Sequence, residues 1–236
     1  QLGGLNGQIG DPPRPIRYDE LVLWTFVHAG VPDSDAEFQR LLKGMIEAKL
    51  ERTYPVSLQA MILEELDRVK YQWRIHQCAQ FLVDNMARNG QWSYGDPVSS
   101  VDDIPTPRKD VESGDGTKQR VFVPRGKKTK VVRLIPVKKK SHGPDGGDNS
   151  NSQYAALGLR ACFDAGIVIE PRVLKTARSW WRQSQKAPKR RDGGQGWCYS
   201  MDNEHDPYGS MTAGGVGSLV IYDYMLGEKW QNDRDV

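Results

Sequence analysis

The chain has 236 residues, with 33 Lys and Arg against 30 Asp and Glu, and a mean hydropathy of −0.64. That length supports a sizeable core without covalent staples, and no stretch approaches the roughly 20 apolar residues that a membrane-crossing helix needs. Three dispersed cysteines, Cys78, Cys162 and Cys198, argue against a disulfide framework and against a zinc site built from cysteine alone.

Residues 1–16 are rich in Gly and Pro and carry no helical period, so they form an irregular lead-in. The start at Gln1, with neither methionine nor leader, points to a piece of a longer protein. A first helix is expected over 18–29, closed by Gly30 and Pro32. The next is capped by Asp33 or Ser34 and carries Phe38, Leu41, Leu42, Met45 and Ile46 at three-to-four spacing. A second pair follows. Thr53 caps a helix with Pro55 at its first position, and a partner runs over 73–88 to the stop Asn89-Gly90.

Residues 98–147 have a different composition, with twelve basic against six acidic groups, a net of +6 on a helical body of −3. Within this insertion RVFVP and KVVRLIPV flank a basic turn and are expected to pair as a β-hairpin. Helices resume over 152–163 and, behind Pro171, over 171–185. A basic, glycine-rich loop then leads to Trp197 and a last helix over 212–226. Gly214, Gly215 and Gly217 leave that helix's first turns almost bare, so a neighbouring backbone is expected to come close.

The chain repeats itself. An amphipathic helix, a polar tail and a Gly-Trp-Tyr turn occur twice: Gly90, Trp92 and Tyr94, then Gly196, Trp197 and Tyr199. Each turn leads to a helix that begins polar and becomes small and apolar. Four such helices start near 18, 54, 152 and 211, and three longer amphipathic ones near 34, 73 and 171. This alternation fits an inner ring of crowded helices inside an outer ring with one wet face.

These residues resemble the α/α-toroid superfamily of squalene and terpene cyclases and protein prenyltransferase β subunits. The Gly-x-Trp turn is similar to the family's glutamine-tryptophan repeat, with Gln185, Trp92 and Trp197 as structural counterparts, and Asn85 or Asn89 where a glutamine is expected near Trp92. The resemblance covers most of residues 18–226 outside the insertion. It implies an all-α, partial α/α-toroid of helical hairpins as a single domain over 1–236, with a small β-hairpin insertion at 98–147. The family's catalytic motifs are incomplete. Val101-Asp102-Asp103 lacks the first carboxylate of the cyclases' acid motif. Asp206-Pro207-Tyr208-Gly209-Ser210 carries glycine where the zinc-binding histidine belongs, and no thioester motif is present.

In a toroid the loops leading to inner helices surround one mouth of the cavity, and helix N-termini there favour anions. This makes Asp148 and Asn149, and His205, Asp206 and Tyr208, the candidate ligand contacts. Asp148, Asn149 and Ser150 also suit a plain helix cap. Zinc at Cys198, His205 and Asp206 needs the intervening loop to fold back. The tryptophans are expected to staple helix ends rather than to line a cation-stabilising cavity. Arg125, Lys127, Lys128, Lys130, Lys138, Lys139 and Lys140 form a basic patch suited to an anionic partner. With Phe122 its one aromatic, the insertion lacks the stacking residues of a single-strand binder, which argues against nucleic acid.

The expectation is therefore a non-catalytic ligand- or protein-binding and scaffolding module of a larger, bacterial-type protein. It has no catalytic residues, metal or cofactor. Its partners are the remainder of its own chain, another protein or a small apolar ligand. The alternatives are a cyclase- or prenyltransferase-like enzyme, and an anion- or nucleic-acid-binding module working through the insertion.

Overall fold

The computed structural model describes residues 19–96, 128–188, 194–200 and 206–228. These form seven helices and two three-residue strands: α1 (Asp19–Ala29), α2 (Ala36–Glu47), α3 (Thr53–Asp67), α4 (Gln72–Asp84), β1 (Ile135–Val137), α5 (Asn149–Asp164), β2 (Ile167–Ile169), α6 (Pro171–Gln183) and α7 (Gly209–Leu226). The protein is thus mostly helical, and each predicted helix has its counterpart.

Helix ends follow local chemistry, displaced from expectation by a few residues. The cap of α2 is Asp35 rather than Asp33 or Ser34. Its carboxylate accepts the Glu37 and Phe38 amides at 2.9 Å, because the Asp35 amide is first turned back onto the Pro32 carbonyl. Thr53 is the first residue of α3, not its cap. Its amide and hydroxyl donate to the Tyr94 and Ser93 carbonyls, so a distant loop does what a cap would do. Helix α4 stops at Asp84, short of the expected 88. The Asn85 side chain pulls the following chain aside by bonding both the Asp96 amide and its carbonyl.

The odd-numbered helices pack in the order α1, α3, α5, α7, with α3 against α5 the most extensive interface. Helix α2 lies on α1, α4 lies on both α3 and α5, and α6 lies on α7. Close approach between α3 and α5 depends on Gly158: a Cβ there would stand 2.8 Å from the Ser57 Cα. The bare start of α7 admits a side chain rather than a backbone. A Cβ on Gly215 would lie 2.5 Å from the Trp197 ring. The core holds Trp92, Trp181, Tyr222, Phe38 and Phe81, all fully buried. No helix among the described residues is long and apolar enough to cross a membrane.

The described strand of the insertion pairs with a distant segment of the chain. The insertion's KVVRLIPV segment supplies β1, and β1 pairs in parallel with β2, Ile135 opposite Ile167 and Val137 opposite Ile169. The Arg120 to Pro124 half of the expected hairpin lies outside the described residues. The Ile-Val-Ile run after α5 has the β-branched alternation that favours a strand. A parallel partner more than thirty residues away, however, leaves no local turn signal. At the edge of this segment Lys128 bridges Glu64 and Glu65 of α3 at 2.6 and 2.5 Å, and Arg68 donates to the Thr129 carbonyl. The described part of the insertion, from Lys128 onward, is docked on the helices.

Candidate ligand-binding face

The two Gly-Trp-Tyr turns are built alike, atom for atom. The Trp92 indole donates to the Leu82 carbonyl at 2.7 Å, and the Trp197 indole donates to Trp181 at 2.8 Å. Each acceptor lies three residues before the helix's C-cap, Asn85 or Ser184, where a carbonyl has no intrahelical partner. Each tryptophan amide then donates to a hydroxyl four residues into the next helix from its N-cap. These are Ser152 for Trp92 at 3.1 Å and Thr212 for Trp197 at 3.3 Å. Each tryptophan carbonyl accepts the amide of that N-cap residue, Asp148 or Tyr208. One side chain therefore ties the end of one helix to the start of the next. Trp181 and Trp197 meet edge to face with 6.0 Å between ring centroids. Gln185, the expected repeat glutamine, is half-buried and precedes the Lys186–Gly196 bridge.

These clamps bring the N-terminal ends of α3 and α5 together with the residues that follow each tryptophan. The Tyr94 carbonyl accepts the first amide of α3, and the Tyr199 carbonyl accepts the first amide of α5. Their phenols face one another at 3.4 Å. Beside them Tyr54 hydrogen-bonds Ser150, and its ring packs on Tyr154 with 4.0 Å between centroids. Burial pushes the Tyr54 phenol up. For Tyr199 the hydrogen bond with Tyr94 raises the pKa first, then burial and the Asp148 charge. Both shifts favour the protonated, donating form of Tyr54 and Tyr199.

Two predicted contacts are already engaged. Asp148 caps α5, accepting the Asn151 amide and side chain at 2.7 and 2.8 Å. Asn149 is 1% exposed, donates to the Cys198 carbonyl and accepts the Trp180 indole. Both side chains are thus engaged in holding the start of α5 and the turn beside it. Asp206 and Tyr208 are exposed at the start of α7, and no side chain caps that helix. His205 lies outside the described residues, as do Asp102, Asp103, Arg125 and Lys127. Cys198 is buried, and no three His, Cys, Asp or Glu side chains gather among the described residues. Cys78 and Cys162 are fully buried, and desolvation holds the Cys78 thiol at about 12 and raises Cys162 too.

The basic patch is not one surface. Lys128 is neutralised by Glu64 and Glu65, while Lys130, Lys138 and Lys140 are exposed. Lys139 turns inward, donating to the Val83 and Met86 carbonyls at 2.6 and 2.7 Å.

Sequence reasoning missed the tyrosines. Tyr94 and Tyr199 are visible only as the last letters of a repeated turn, and Tyr54 and Tyr154 carry no motif. Exposed apolar side chains also mark the first and last of the odd-numbered helices. Leu21 and Val22 lie on α1, and Val216, Val220 and Tyr224, four residues apart, share one stripe of α7. No protein-family model, curated protein or solved structure matches the chain.

Proposed function

We propose that this chain is a non-catalytic binding and scaffolding module of the α/α-toroid kind. Its odd-numbered helices would present an apolar face with a phenolic rim to a small apolar ligand. The observation that carries this reading is the cluster of Tyr54, Tyr94, Tyr154, Tyr199 and Ser150 at adjoining helix starts. Phenols join a large apolar ring to one donor, which suits a ligand that is mostly hydrocarbon with one or two oxygens. Four acids of α3 and α5 already have partners: Asp148 caps α5, Lys128 pairs with Glu64 and Glu65, and Asp164 accepts the Tyr224 hydroxyl at 2.8 Å. That favours binding over proton-driven cyclisation.

The fluorescent apolar probe anilinonaphthalene sulfonate tests this reading. It should bind saturably, and V216D and V220D, on exposed positions of α7, should abolish the signal while leaving the melting temperature intact. Unchanged binding in both variants would sink the proposal. Turnover of a prenyl diphosphate by the purified protein would replace it with the enzymatic reading.

A further inference from the structure

A cavity of about 170 Å³ opens where three distant parts of the chain meet: the end of α4, residues 139–142 and the first turns of α6. It is lined by Arg88, Lys139, Lys140, His142 and Arg172, with Met86 and Val173 as its apolar wall. Two carboxylates face this group, and both are committed. Asp84 accepts the Lys140 and Ser141 amides and the Gln80 side chain. Glu170 accepts the Lys139 amide at 3.4 Å and pairs with Arg172 at 3.6 Å. Four cationic side chains thus surround one cavity with two engaged acids, and like charges at such range repel unless an anion separates them.

We infer that this cavity is a binding site for a small oxyanion, held by Arg88, Lys139, Lys140 and Arg172. The ligand is a phosphate or the phosphoryl group of a small metabolite. The size supports this class, because pockets for drug-sized ligands start at roughly 300 Å³. Lys139 is already positioned. Two of its three donors are spent on the carbonyls of Val83, in the last turn of α4, and of Met86 just beyond it, which leaves one for a ligand. The first turn of α6 has Pro171 at its start and no side-chain cap, so its positive end adds to the field. Guanidinium groups match phosphoryl oxygens in pairs. The site is separate from the phenolic face, and either can fail without the other.

The test is calorimetric titration of the whole chain with inorganic phosphate, sulfate and glycerol phosphate, at ionic strength matched with chloride. Saturable binding is expected, weakened about tenfold or more in R172Q and in R88Q. K139Q should weaken it as well, but Lys139 also caps α4, so the two exposed arginines carry the decision. Tighter binding of glycerol phosphate would assign an organic source, and equal binding of the two phosphates would assign inorganic phosphate. Burial, reinforced by Arg172 and opposed by Asp84, places Lys139 at about 8. Sulfate does not titrate near that pH, so its affinity should fall as the solution passes about pH 8 and Lys139 loses its proton. His142, Arg88, Lys140, Arg172, Glu170 and Asp84 also face the site. No heat beyond the chloride control, or equal affinity in R88Q and R172Q, would overturn the inference.

Discussion

Replacing Trp197 with phenylalanine removes one N–H and keeps most of the ring. The Trp181 carbonyl it served lies at the buried end of α6, and the donor left to it is the Ser184 hydroxyl at a long 3.5 Å. Orphaning such a group costs about 1–3 kcal/mol. Trp197→Ala removes the ring as well. A buried tryptophan covers about 150–250 Å², worth about 4–6 kcal/mol at 25 cal/mol per Å², in line with the roughly 3–5 kcal/mol of large-to-alanine changes in cores. Against a total stability of about 5–15 kcal/mol, the alanine variant sits near the folding threshold. The phenylalanine variant, at about 2 kcal/mol, should melt about 4–8 °C lower. Urea unfolding followed by circular dichroism measures the loss, with the slope reporting any change in the unfolded state. Trp92→Phe provides the internal control, since its indole, amide and carbonyl bonds repeat those of Trp197. A loss below about 0.5 kcal/mol in both, the range of ordinary surface changes, would refute the clamp as a stabilising device.

Two further outcomes follow from the packing. Gly158→Ala should destabilise by about 1–3 kcal/mol, because its Cβ meets the Ser57 Cα at 2.8 Å and the backbone of α3 has to give; an unchanged urea midpoint would contradict that contact. Burial, only partly offset by Lys128, raises the Glu64 carboxyl above its ordinary value of 4.5. A carboxyl with a raised native pKa binds more protons folded than unfolded. Its contribution to stability is therefore lost as pH rises from 4.5 through the native value. Lys128→Met should move this carboxyl further up, and carbon-detected NMR titration reads it directly; a downward movement would contradict the assigned ion pair.

Periodicity made the helices legible. The apolar spacing of Phe38, Leu41, Leu42 and Met45 is a local property, and all four are buried on α2 as expected. The repeated Gly-Trp-Tyr turn was also legible as a staple, because an indole after a helix end has a large ring to bury and a donor to satisfy. Boundaries were less so. The first amide of α3 is bonded by the loop that follows α4, and nothing near Thr53 announces Tyr94.

What the sequence determines by itself is what depends on neighbours along the chain: seven helical segments, two equivalent turns and a basic insertion of net +6. Tertiary structure decided everything that needs distant residues to meet. It paired Ile135–Val137 in parallel with Ile167–Ile169, a partner no local turn announces. It spent Asp148 on capping and Asn149 on Cys198 and Trp180, and gathered Tyr94 and Tyr199 of the repeated turn with Tyr54 and Tyr154, which carry no motif. It also divided one run of lysines into different fates, with Lys128 neutralised by α3 and Lys139 and Lys140 joined by Arg88 and Arg172 around a cavity. Charge along a chain is a sum. The field at a site depends on which of those charges folding brings within a few ångströms and which it pairs away.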